Sequence, residues 1–239
     1  MTDSHCHVSC GDPGVREFLI GRDFIGVHPW EAGNCSDCSD CLIVRLRESL
    51  VADSRLGVGE IGMDRLKERE ISPRMREVFE RQLRLALEFG RPVVLHGAKC
   101  WGQVVKTVRQ SIEQSEQSNN RTIPSFLFHG FSRSDGLIPD IVALGGYISV
   151  GPAVLNDHAV NYRELVKKIP IDRLLFETDR TLENAAVCPS VAEVAAAVAK
   201  LRGLSLSELE TLTDRNAVRF FPNPQSLFPV PSICYTTHK

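Results

Sequence analysis

Four of the seven histidines close or follow short apolar runs, and two acidic residues close similar ones. The runs are Thr2-Asp3-Ser4-His5-Cys6-His7, Gly57-Val58-Gly59-Glu60, Pro92-Val93-Val94-Leu95-His96, Phe126-Leu127-Phe128-His129 and Leu174-Leu175-Phe176-Glu177-Thr178-Asp179. Side chains alternate along a strand, so His5 and His7 share one face and can reach one centre together. If the runs are parallel strands of a (β/α) barrel, their C-terminal ends meet at one mouth, where the catalytic residues of such barrels sit. Any single histidine here, taken alone, reads better as a core or loop residue than as a ligand. Imidazoles and carboxylates gathered at strand ends are instead what a divalent-metal hydrolase requires.

The rest of the chain accommodates that architecture. Its 239 residues are 43% hydrophobic and 24% charged, enough for one barrel with a full core. Residues 1–221 are expected to form the barrel, and 222–239 an irregular tail with prolines at 222, 224, 229 and 231. No apolar run is long enough to cross a membrane, and the histidine pair begins almost at Met1, so a cytoplasmic protein is expected. Eight cysteines without signs of export are read as free thiols. A net charge of −2 leaves no broad basic surface for duplex nucleic acid, so any affinity for phosphate must be local.

Strands are predicted over residues 2–7, 24–28, 57–61, 92–96, 125–129, 146–150 and 173–178, mostly separated by amphipathic segments. Ser72-Pro73 opens a helix over 74–89 with Gly90 as its stop. Ser190 with Glu193, and Ser205 with Glu208, form capping boxes ahead of helices at 191–201 and 206–221. Residues 110–122 read as a helix end plus a loop.

These motifs, taken in order, resemble the TatD-related metal-dependent deoxyribonucleases. The resemblance rests on His5-Cys6-His7 after Asp3, Gly26-Val27-His28-Pro29, Gly59-Glu60-Ile61-Gly62-Met63-Asp64, Pro92 to His96, His129-Gly130-Phe131-Ser132 and Glu177-Thr178-Asp179, and spans residues 2 to about 221. It implies a TIM-type barrel that holds one or two divalent metal ions, such as Mg, Mn or Zn, and hydrolyses phosphodiesters. Carried over, His5, His7 and Asp179 would bind one metal, His96 and His129 the second, and Glu60 would bridge them. A carboxylate suits that bridge because its two oxygens can serve two cations. Asp179 would also accept the proton of the attacking water. Asp3 and Glu177 are read as supporting groups, His28 as a pocket histidine, and Asp64 as a residue lining the mouth. His158 and His238 receive no role.

Departures from the family pattern concern the substrate shell and one barrel unit. Ala98 stands where an arginine is usual, Gly130 replaces a cysteine, and Arg180 with Thr181 follows Asp179 in place of a small residue and proline. Lys99, Arg133 and Arg180 therefore offer a rearranged set of phosphate-binding cations. Between His7 and Phe24 there is room for one crossover of the usual ~10–12 residues but not for a whole extra βα unit. The expectation is an α/β TIM-type barrel reduced to seven strands by loss of its second βα unit. The resulting gap, around Arg16, Phe18, Leu19 and Ile20, would then be covered by a homodimer partner or by the tail. Cys35, Cys38 and Cys41 have the spacing of thiolate ligands but lack a second ligand pair, so an incidental thiol loop is preferred over a structural metal.

The leading functional reading is a metal-dependent deoxyribonuclease or phosphodiesterase acting on single-stranded or end-directed DNA. The alternatives are hydrolysis of a small amide, ester or lactone, and a non-catalytic metal-binding protein.

Overall fold

The computed structural model describes residues 1–34, 39–67, 69–116 and 123–222. Eight parallel strands form the interior: β1 (Thr2–Cys6), β2 (Arg16–Leu19), β3 (Phe24–Ile25), β4 (Gly57–Asp64), β5 (Val93–Ala98), β6 (Phe126–Phe128), β7 (Tyr147–Val150) and β8 (Leu174–Phe176). β1 pairs with β2, and β3 to β8 follow one another in a six-stranded parallel sheet. A parallel bridge between Ile20 and Phe24 joins the two sheets. From β8 back to β1 the ring is carried by Asp179 N–H to His5 O (3.1 Å), His7 N–H to Arg180 O (2.8 Å) and the Ser4 hydroxyl to Phe176 O (2.7 Å). Asp3 fastens the same seam, accepting from the backbone N–H and the hydroxyl of Thr178 at 3.0 and 2.6 Å.

The helices lie outside this ring: α1 (Pro29–Asn34), α2 (Ser39–Ala52), α3 (Pro73–Phe89), α4 (Trp101–Glu116), α5 (Ile138–Ala143), α6 (Val160–Lys168), α7 (Val191–Arg202) and α8 (Leu206–Phe220). Local chemistry sets their ends. The Ser72 hydroxyl accepts from Met75 N–H, Gly90 stops α3 at φ 62°, and both predicted capping boxes are formed. Strand alternation then sorts the core. Val93, Leu95, Phe126, Phe128, Leu174 and Phe176 belong to the large cluster shared with the helices. Val94, Leu127 and Leu175 belong to a second cluster, closed by Phe220 and Phe221 at the end of α8. Among the described residues, Cys6, Cys10, Cys41, Cys100 and Cys188 are in no disulfide. Cys35, Cys38 and tail residues 223–239 lie outside the described residues.

The barrel class is as expected, but the strand count is not seven. Residues 16–19, read from sequence as part of a crossover, form β2; what the chain lacks is the helices flanking it. The step from β2 to β3 is a tight turn. Asp23, its side chain wholly buried, accepts from Leu19 N–H and Arg22, while Gly21 takes φ 89° and donates to Phe24 O. The anticipated gap is therefore filled from within. Phe18 has no exposed surface and packs on Phe221 (5.2 Å between ring centres), Phe220 (6.2 Å) and Phe24 (6.5 Å), so neither a partner nor the tail is needed to cover it.

Candidate metal centre

Five strands deliver their polar ends to one point. His5 lies in β1 and His7 just beyond it, Glu60 and Asp64 come from β4, His96 from β5, His129 follows β6, and Glu177 and Asp179 follow β8. Close approach of β4 to β5 depends on Gly62, at φ 150°, where a Cβ would stand 2.0 Å from His96 O. Three other residues beyond strand ends hold left-handed conformations, namely Lys99 (φ 56°), Arg133 (φ 57°) and Asp179 (φ 50°). Such strain in non-glycine residues gathers where a side chain must be aimed.

Glu60 is the hub, and its two oxygens face different histidines. Oε2 lies 3.6 Å from His5 Nε2 and 3.5 Å from His7 Nε2. Oε1 lies 2.6 Å from His96 Nδ1, 2.6 Å from His129 Nε2 and 3.5 Å from His28 Nε2. On the first side, Asp179 Oδ1 completes the group at 3.4 Å from His5 and 3.6 Å from His7. Donors about 2.1 Å from a common centre in a tetrahedron are about 3.4 Å apart, so His5, His7, Glu60 and Asp179 are spaced as ligands of one cation. His5 reinforces the fit. Its ring is completely buried, yet neither nitrogen has a hydrogen-bond partner.

The histidines are oriented from behind. His96 Nε2 is 2.8 Å from Asp64 Oδ2, leaving Nδ1 for Glu60. His129 Nδ1 faces Glu177 Oε2 at 3.5 Å, leaving Nε2 for Glu60. Glu177, read from sequence as a supporting group, itself accepts from Gly130 N–H (2.8 Å) and the Ser149 hydroxyl (2.5 Å). Carboxylates behind histidines in this manner set which nitrogen is free to bind. Asp64, anticipated at the mouth, is instead buried behind His96. It is also bonded to the Trp30 side chain, whose ring packs edge-on against His28 and His96 with Lys67 Nζ 3.8 Å from its centre.

Electrostatics keeps both facing carboxylates ionised. Burial works to raise Glu60, but the imidazoles of His129 and His28 outweigh it and hold the group well below the usual range. Asp179 is lowered too, burial again being overcome by His5 and His7. Burial and neighbouring His129 push His5 down, toward the neutral form whose lone pair can bind a metal. His7 is opposed by burial and raised to about 9 by Asp179 and Glu60.

All six residues read from the sequence as metal ligands thus converge, and His28, read as a pocket histidine, joins them at Glu60. A proline-fixed turn after a short strand gave no sign of where that ring would point. Of the three cations singled out, Lys99 and Arg133 are exposed, with no hydrogen bond or ion pair among the described residues. Arg180 is different, since its guanidinium donates to Ala185 O at 2.5 Å and braces the loop after β8. A hollow of about 720 Å3 opens beside Asp179, with His158 on its wall, a residue to which the sequence assigned nothing.

Residues 22–222 match the model of the TatD related DNase family. Among curated relatives, the uncharacterized metal-dependent hydrolase YabD of Bacillus subtilis is 28% identical over 214 residues, covering 87% of this chain and 80% of the relative. The 3'-5' ssDNA/RNA exonuclease TatD of Cronobacter sakazakii is 27% identical over 208 residues, covering 82% and 75%. Among solved structures, the TatD homolog YJJV of Escherichia coli K12 superposes with a TM-score of 0.76 at 22% identity, covering 94% of this chain and 98% of that one. The chain belongs to the TatD-related DNase family and is a metal-dependent hydrolase.

Proposed function

We propose that this enzyme is a nuclease that hydrolyses phosphodiester bonds at the ends of single-stranded nucleic acid, using one or two divalent cations. The observation that carries the reading is the division of Glu60 between two sets of imidazoles, which is the arrangement of a bridging carboxylate. His5, His7 and Asp179 would hold one cation and His96 and His129 the other, with His28 beside the second. Divalent cations there supply Lewis-acid activation of water and neutralise charge on a phosphoryl group. Relatives named as exonucleases on single-stranded DNA and RNA support a nucleic-acid substrate.

The chain's own groups divide the remaining work. Asp179 Oδ1 faces His5 and His7, while Oδ2 has no partner among the described residues and half the side chain is exposed. It is therefore placed to take the proton of an attacking water at Oδ2. Lys99 and Arg133, exposed at the mouth, would meet the anionic backbone of a strand.

The test is cleavage of end-labelled single-stranded DNA beside a panel of uncharged esters, amides and lactones, each with Mg or Mn. Stepwise release of nucleotides, competitively inhibited by nucleoside monophosphates, is the expected result. Turnover confined to the uncharged substrates would assign the centre to amide or lactone chemistry.

A further inference from the structure

We infer that the hollow beside Asp179 is a subsite for a single nucleotide at the end of the bound strand, with His158 as a substrate-binding residue that works beside Arg133. The inference rests on the nuclease reading above and adds the place and the chemistry of one nucleotide. At about 720 Å3 the hollow lies within the ~300–1,000 Å3 of small-molecule pockets. Glu177 and Asp179 line its inner side, so a group held there lies directly against the candidate metal centre. The 3₁₀ turn Pro152–Leu155 and the first turn of α6 contribute the opposite wall.

The lining is chemically lopsided. Of its two acids, Glu177 is engaged with Gly130 N–H, the Ser149 hydroxyl and His129, while Asp179 faces His5 and His7 through Oδ1 and keeps Oδ2 for the attacking water. The other polar groups of the lining are mostly donors. Arg133 reaches the hollow from a left-handed backbone position and makes no hydrogen bond or ion pair among the described residues. His158 is exposed on the wall, its backbone N–H bonded to Asn156 but its ring without a partner among the described residues. The Tyr162 hydroxyl accepts from Gly151 N–H at 3.1 Å, which leaves its own proton to donate. Between these polar groups lie Pro152 and Val160, the latter 60% exposed. A lining that offers the Arg133 guanidinium, the His158 ring nitrogens and the Tyr162 hydroxyl beside Pro152 and Val160 suits a ligand that combines a phosphate with a flat ring. A nucleotide has both parts; a small lactone or amide has no anion for Arg133 to hold.

Isothermal titration of dAMP and of inorganic phosphate into manganese-loaded wild type, His158→Ala and Arg133→Ala tests this. Metal content measured on each sample guards against loss of the centre, and Ala153→Trp, which narrows the hollow without removing a charge, is a second route to the same result. The expected outcome is that dAMP binds wild type more tightly than phosphate does and loses about tenfold in each variant, while phosphate weakens with the loss of Arg133 or His158 but changes little in Ala153→Trp. Equal dAMP affinity in wild type and all three variants, with strand cleavage intact, overturns the subsite and leaves the nuclease reading standing. Absence of strand cleavage by the metal-loaded wild type is visible without any variant, and it overturns both.

Discussion

Glu60 presents Oε2 to His5 and His7 and Oε1 to His28, His96 and His129. His5, His7, Glu60, His96, His129 and Asp179 could be picked out because each sits at the end of a strand-like run, and strand ends in a parallel barrel share a mouth. The direction of a ring is set by partners distant in the chain. The sequence therefore left His28 outside the donors, placed Asp64 at the mouth, and gave no sign that Arg180 also reaches the backbone of its own loop. Asp64 in fact holds His96 at 2.8 Å, and Arg180 gives one of its N–H groups to Ala185 O. Two predictions belong here. Asp179→Asn should keep most of the bound metal, since an amide oxygen can still coordinate, while kcat falls by roughly 10²-fold or more through loss of the proton acceptor; parallel metal analysis and steady-state kinetics would show the split, and a variant within threefold of wild type in kcat would remove Asp179 from that role. Asp64→Asn should weaken metal binding by roughly 10–100-fold with an unchanged circular dichroism spectrum, because His96 loses the carboxylate that orients it. Unaltered metal affinity by titration calorimetry would reduce Asp64 to a packing residue.

Among the secondary-structure elements, those with local punctuation were readable. Ser72 and Gly90 bound α3, and the boxes at Ser190 and Ser205 open α7 and α8, because caps act within a turn of the residues that carry them. β2 carries no such mark. Its four residues lack clear alternation, and its link to β3 is far shorter than an ordinary parallel crossover because Asp23 folds the chain into one buried turn. Phe18 is the anchor of that element, so Phe18→Ala should cost about 3–5 kcal/mol in urea unfolding, the range for a fully buried phenylalanine. A loss under about 1 kcal/mol would mean that β2 does not seal the barrel interior. In α1, burial raises the Glu31 carboxyl to about 7. Below the ordinary carboxyl value of 4.5, the folded and unfolded chains both carry the proton and there is no penalty; between there and about 7 the unfolded chain ionises first, so stability falls with rising pH and the loss is complete above that range. Glu31→Gln should accordingly raise Tm at pH 8 and leave it nearly unchanged at pH 4, and an equal shift at both would show that the charge is not the cause.

The whole molecule divides its two ends between stability and chemistry. Phe18, Phe24, Phe220 and Phe221 pack one end of the ring, and Asp3 with Thr178 fastens β1 to β8 beneath the other. Above that seam stand five imidazoles around Glu60, with Asp179 beside two of them. The fold class was legible because repeated strand and helix patterns admit few parallel topologies. The closure of the ring was not, since it depends on backbone bonds such as Asp179 N–H to His5 O that join opposite ends of the chain. We propose that this cluster is a divalent-metal centre that cleaves nucleic-acid strands. The decisive measurement strips the protein with a chelator and follows nucleotide release from end-labelled single-stranded DNA as manganese is returned. The stripped protein should release nothing, and release should rise to saturation with bound metal. Cleavage that survives stripping, or none at full metal occupancy, would rule that role out.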